Sequence, residues 1–403
     1  MRISTGMLYE TGVNSIQRQT GSLLHTQQQV ASGRRVLAPS DDPVAAARAL
    51  EVTQAQAINT QYRTNQDNAK TSLGLEESQL AAVGDLIQSV QERAIQAGSA
   101  ALSNSDRDAI AKELRARFDQ LLGIANATDG TGQFLFSGYQ GNVSPFSGNV
   151  ATGVIYAGDD GQRALQVSAS RQLPVSDSGS DVFMRIRNGN GTFVTDFAAT
   201  NAGTAAIDAG NALGSFNGHQ YAIDFVDVAG QINYTLTDVT AGTPASAPTP
   251  YQSGSAISFD GVNSVTISGS PNAGDQFTVS PSSSQSVFAT IGRLITALET
   301  PPTAATGGST RINSEVSHAL TDLSQAQDNI LRVRAAVGSR LSEVDALQGV
   351  GEDLSLQYAQ TLSRLQDVDY ADAITRLSRE QLNLEAAQKS FMQVSGLSLF
   401  NYL

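Results

Sequence analysis

Three histidines, His25, His219 and His318, and the adjacent pair Asp41-Asp42 are the first places to look for proton transfer or metal binding in this chain. Each histidine stands alone. There is no HExxH, no paired histidine spacing and no Gly-x-Ser-x-Gly elbow, so each reads as a surface or packing histidine rather than a ligand or base. Two carboxylates side by side can act as an acid/base pair. Directly before Pro43, however, Asp41 and Asp42 read better as an N-cap that also favours the helix dipole. Between Asn188 and Gln285 there are seven Asp and no Lys or Arg. The plain reading of that excess is a solvated acidic surface. A calcium site is the sharper one, yet "AGDDGQ" and "NGNGTF" lack the alternating carboxylates of a calcium loop and resemble hairpin turns. No glycine loop is placed to cradle a phosphate. These residues supply no catalytic, cofactor-binding or metal-ligating set, and an enzyme is not expected.

Composition excludes more. With no cysteine the chain has no thiol catalysis, thiolate metal site or disulfide, which leaves the compartment open. The formal charge is -13 with only three lysines, Lys70, Lys112 and Lys389. Nucleic-acid affinity needs clustered cations, so DNA, RNA and anionic membranes are poor candidate partners. The N-terminus lacks the basic, apolar and small-residue succession of a secretory signal, and no apolar run of about eighteen residues occurs. The chain is expected to stay inside or to leave by a route that cleaves no leader.

The elements that carry these residues change character twice. From Ile3 to about Ala127 apolar residues recur at helical spacing. From about Gly130 to Ser284 the chain is rich in Gly, Ser, Thr, Asp and Val with period-two alternation. From Gln285 onward the helical pattern returns, broken near Pro301 to Gly308. A first helix places Tyr9, Ile16, Leu23 and Val30 seven apart on an otherwise polar body. It closes at Gly33, and a second helix opens at Asp42-Pro43, making a corner over Gly33, Arg34, Arg35, Asp41, Asp42 and Pro43. That second helix carries a fuller stripe of Leu73, Leu80, Val83, Ile87 and Val90. A third shows Ile110, Leu114, Phe118 and Leu121 after a cap at Ser103 to Ser105. Near the other end Ile330, Val333, Val337, Leu341 and Val344 lead on to Ile374, Leu377, Leu384, Phe391 and Val394. In the middle, "QYAIDFVDV", "QINYTLTDV", "SVTISG" and "DQFTVSP" read as strands.

The terminal stripes are thin. Ile16, Leu23 and Val30 packed antiparallel against Ile374, Leu377, Leu384, Phe391 and Val394 make too little apolar burial to hold two long helices firmly. Such ends are expected to be loosely ordered in a free monomer and to firm up among identical copies. An ordinary antiparallel stalk within one chain has the same periodicity.

Four segments carry a resemblance: "RIST" with "LLHTQQQVASGRRVLAPSDDPVAAARAL", then "GQFLFSGYQ" followed by "SPF", and at the C-terminus "LSLFNYL". They resemble the flagellin superfamily, and the Asp41-Asp42-Pro43 corner is similar to that of its hook-filament junction members. The resemblance implies an α+β multidomain, flagellin-like fold, in which an N- and C-terminal α-helical coiled-coil assembly domain carries inserted β-rich outer domains. It implies terminal inner-tube segments at 1–42 and 365–403, a helical bundle at 43–146 and 285–364, an outer β-rich domain at 147–211 and a second β-rich insertion at 212–284. It further implies a non-enzymatic ring subunit of the bacterial flagellum, without cofactor. That subunit would join hook-associated protein 1 to flagellin, and would be exported extracellularly by the type III export apparatus with an export chaperone. Self-association would use the terminal stripes together with Leu399 and Phe400, and Arg34 and Arg35 would meet carboxylates of neighbouring subunits. A filament-forming flagellin is the nearest alternative, and a coiled-coil receptor with a β ligand domain the alternative from another class.

Overall fold

The computed structural model describes residues 5–99, 101–300 and 308–396. Three helices precede the strands: α1 (Thr5–Ser32), α2 (Pro43–Ala97) and α3 (Asn104–Ala125). Three follow them: α4 (Val287–Glu299), α5 (Gly308–Gln366) and α6 (Tyr370–Gly396). Local chemistry sets the boundaries. Gly33, just after α1, has φ of +71°, a conformation that costs other L-residues strain. The Asp42 carboxylate accepts the Ala45 amide at the start of α2. Ser103 and Asp106 form a reciprocal capping box on α3, and the Ser286 hydroxyl accepts the Ala289 amide on α4.

The chain divides into two compact units. The central unit spans residues 66–345. Its helical core is the predicted apolar stripe: Leu73, Leu80, Val83, Ile87 and Val90 of α2, with Leu114, Phe118 and Leu121 of α3, are all buried. Phe288 of α4 lies 5.7 Å from Phe118 and 5.5 Å from Phe146, ring centre to ring centre, so one aromatic cluster joins helices to the first hairpin.

The strands of the same unit are antiparallel. A five-stranded sheet runs in the order Thr249–Pro250, Gln231–Asp238, Tyr221–Val228, Gln276–Pro281, Phe193–Phe197. A three-stranded sheet places Ser264–Ser268 between Ala256–Ser258 and Ala206–Ile207. Phe193, Ile207, Ile223, Phe225, Val265, Ile267, Phe277 and Val279 share one buried cluster. The domain edge expected between 211 and 212 is therefore displaced. Phe193–Phe197 pairs with Gln276–Pro281, and Ile207 sits opposite Ile267, so residues on both sides of that edge build one core. Residues 208–220 there are a connection between strands that contains Gly and Asn, not a boundary. The two hairpins of residues 146–174 also touch the helices. Phe146, which opens the first, lies against α3 and α4, and the Val167 carbonyl of the second accepts the Gln66 side chain of α2.

The terminal unit comprises residues 1–65 and 346–403, of which 5–65 and 346–396 are described. It holds α1, the first part of α2, the last part of α5, and α6.

Candidate assembly site: the paired terminal helices and their corner

Helices α1 and α6 lie side by side and run antiparallel. Tyr9, early in α1, meets Phe391, late in α6, at 5.1 Å between ring centres, while Gly33, just past α1, meets the Tyr370 hydroxyl at the start of α6. The Phe391 ring sits directly over Gly12. A Cβ at that glycine would come within 2.6 Å of the ring, so this close approach depends on the missing side chain.

The predicted seam residues are brought together, though only partly covered. Ile16, Leu23 and Val30 of α1 and Leu377, Leu384 and Phe391 of α6 are half-buried. Ile374 is 51% exposed. Val394 lies on α6 with its side chain outside the described ones, and Leu399 and Phe400 lie outside the described residues altogether. Among the described residues, the buried ones along this pair are small or polar: Thr26, Gln29 and Ala373. Met7, Tyr9, Leu24, Tyr370, Leu382 and Met392 leave half or more of their area exposed. Apolar area of this kind, strung along two long helices, contributes little to a lone molecule and is suited to burial against further helices.

The corner is a second, more polar construction. Backbone hydrogen bonds stitch it to the link between α5 and α6: the Arg35 amide donates to the Gln366 carbonyl at 2.6 Å and the Val368 amide to the Gly33 carbonyl at 2.9 Å. Arg35 reinforces the stitch, donating to the Asp42 carboxylate at 3.0 Å and to the Leu365 carbonyl at 2.9 Å. Gln29 donates to the Arg35 carbonyl at 2.6 Å. Asp41 accepts the Leu37 and Ala38 amides, both at 2.9 Å, with His25 on its other oxygen at 3.3 Å. The Ala38 and Leu37 amides hold the Asp41 carboxyl below its usual range, and the Ala45 amide followed by Arg35 does the same for Asp42.

Two expectations change here. The Arg35 guanidinium is engaged within its own chain rather than left for a neighbouring subunit, because the corner is tight enough to bring Asp42 back to it. Arg34 remains exposed. The cap role divides as well: Asp42 alone caps α2, while Asp41 fixes the preceding turn. The sequence places a segment edge at 365, but does not show that Leu365 to Asp369 form the partner half of the corner. Asp369 just before Tyr370 is the available signal, since its carboxylate accepts the Ala371 and Asp372 amides at the start of α6.

The remaining chemistry-bearing residues lie apart from this site. His219 pairs with Asp238 at 2.7 Å. His318 is buried with its ring 5.7 Å from Phe197, and burial lowers its pKa to about 4. The acids of the β region hold turns together: Asp208 accepts the Gly210 and Thr266 amides, Asp260 those of Val262 and Asn263, and Asp275 those of Ala202, Gly203 and Asn272. Among the described residues no cluster of three His, Cys, Asp or Glu could hold a metal, and no helix is long and apolar enough to cross a membrane.

Residues 3–141, corner included, match the family model for the bacterial flagellin N-terminal helical region. Over 400 residues, 99% of each chain, the sequence is 28% identical to the flagellar hook-associated protein 3 of Salmonella typhimurium. The crystal structure of flagellar hook-associated protein 3 from Legionella pneumophila is 31% identical, with a TM-score of 0.72 over 78% of this chain and 98% of that one. This chain belongs to the flagellar hook-associated protein 3 family. A second Legionella pneumophila structure, described as a flagellar junction protein, covers 79% of this chain and 100% of its own at 32% identity and a TM-score of 0.70. Hook-associated protein 3 relatives thus share the α+β, flagellin-like architecture expected from the sequence, with terminal helices enclosing β-rich segments.

Proposed function

We propose that this chain is a structural subunit of the bacterial flagellum, packing with copies of itself in the axial structure at the hook-filament junction and joining hook-associated protein 1 to flagellin. The observation that carries this reading is the α1–α6 pair. Its seam of Ile16, Leu23, Val30, Leu377, Leu384 and Phe391 is half-covered, and further large apolar side chains stand exposed along the same two helices. Neighbouring copies and axial partners would complete that burial, with Arg34 available to their carboxylates. In this reading the subunit reaches the cell exterior through the type III export apparatus, escorted by an export chaperone and without a cleaved leader. The role requires no catalytic step and no cofactor.

Deleting the gene tests the assignment. Cells are expected to complete their hooks yet shed flagellin into the medium, and to regain filaments when the full chain is supplied. Filaments that stay attached without the protein would overturn the junction role. Loss of flagellin altogether would instead favour a filament subunit.

A further inference from the structure

The apolar stripe of α2 follows the three-four alternation Leu73, Glu76, Leu80, Val83, Ile87, Val90, so Glu76 occupies a seam position where the pattern calls for an apolar residue. Its side chain is buried, at 2% exposure. One oxygen accepts the Asp177 amide at 3.0 Å, and the other is buried with no hydrogen-bond partner. The neighbouring carboxylate is fully engaged elsewhere: Asp177 takes both terminal nitrogens of Arg340, at 3.0 and 2.9 Å, and the Gln162 amide at 2.7 Å.

The other charges nearby have partners of their own. Arg163 donates through one terminal nitrogen to Gln133 at 2.8 Å, while its Nε is buried without a partner. Glu77, next on α2, pairs with Arg334 of α5, and Glu343 of α5 pairs with Arg171. Glu76 thus holds the backbone of a residue whose own carboxylate is charged, while Arg340 binds that carboxylate and Arg163 donates to Gln133, neither of them bonded to Glu76. Ionised, it would place a second negative charge near the first in a buried seam; carrying a proton, it fits.

We propose that Glu76 is a proton-dependent latch: protonated, it holds residues 175–178 against α2, and on losing its proton it releases them. What the latch secures is the passage from the hairpin Ala164–Ser168/Arg171–Pro174 to the short helix Ser180–Met184. Val175 is bonded to the Arg163 carbonyl, and Gly179 to the Phe136 carbonyl. Burial, with the Asp177 charge second, pushes the Glu76 carboxyl up to about 8. A raised carboxyl means that the closed form binds a proton which the open form gives up. Closure is therefore strongest below the ordinary glutamate range, weakens as pH rises toward about 8, and levels off above it. This device is independent of the junction reading.

Amide exchange at residues 175–178 in the full-length protein tests it. After correction for intrinsic rates, the opening constant is expected to rise roughly fiftyfold between pH 6 and pH 8. Glu76→Gln, which keeps the shape and cannot ionise, should flatten that rise while leaving the opening of Phe225 and Phe277 in the β core unchanged. An equal rise in the variant, or no rise in the wild-type protein, would overturn the proposal. Should the variant fail to fold, a carbon-13 titration of the Glu76 carboxyl in the wild-type chain decides. A midpoint near 8 supports the latch; one in the ordinary carboxylate range refutes it.

Discussion

The central and terminal units are both rich in long helix, yet they keep their order in different ways. In the central unit large side chains are fully buried: Phe118, Phe136, Phe146, Phe183 and Phe288 with Leu73, Leu80 and Ile87. Among the described residues of the terminal unit the buried positions fall to Thr26, Gln29, Ala45, Ala49, Asn59, Gly351, Val368 and Ala373, none larger than a glutamine. Its best-defined feature is instead polar, the stitch between Gly33, Arg35 and residues 365–368. Apolar burial stabilises in proportion to area, so the first unit stores its stability internally and the second leaves most of its potential burial unspent. Helical periodicity alone does not separate the two; the coverage of the stripe does, complete from Leu73 to Val90 and partial for Ile16, Leu23, Val30, Leu377, Leu384 and Phe391.

The sharpest way to break this contrast is to remove one large side chain from each unit and follow amide exchange unit by unit. Phe288→Ala is expected to cost the central unit about 3–5 kcal/mol, since its ring is packed on three others. Leu23→Ala, only half-buried in the free chain, should cost the terminal unit less than about 1 kcal/mol. Equal losses would erase the distinction.

Acid offers a second contrast. His318 lies in the central unit with its pKa lowered to about 4 by burial, so the folded form stays neutral where an unfolded chain would bind a proton. Stability of that unit is present in full above the ordinary histidine range and is lost as pH falls through it toward about 4, by up to about 3 kcal/mol. His318→Leu should blunt the loss in a pH series of thermal melts.

A smaller effect probes the stitch. Gly33→Ala puts a side chain on a residue at φ +71° and brings its Cβ to 3.0 Å from the Tyr370 hydroxyl. A cost of about 1–2 kcal/mol is expected, read as faster exchange of the Val368 and Arg35 amides with no change in the Phe288 cluster.

The legible parts of the molecule were the local ones. Gly33 and Asp42-Pro43 announce a corner because a left-handed residue and a cap are decided within a few residues. The stripe of Leu73 to Val90 announces a buried helix face for the same reason. The pairing of the two halves of the corner is not local: Asp369 marks the start of α6, but Arg35 reaches Leu365 across 330 residues and no nearby residue records that contact. Strand alternation had the same limit in the β region: it gives the inward face of Phe193–Phe197 without naming Gln276–Pro281 as neighbour, and a domain edge was placed inside a shared core. Glu76 is not legible in the sequence, because a polar residue in a heptad reads as a gap until its partners are in view.

The stitch also makes the terminal unit a gauge of whether synthesis has passed Val368. Its donors and acceptors, Gly33 and Arg35 on one side and Leu365, Gln366 and Val368 on the other, are separated by more than three hundred residues of intervening chain. No fragment ending short of Leu365 can tie this knot, and any such fragment would keep an open, frayed corner for quality-control proteases to find.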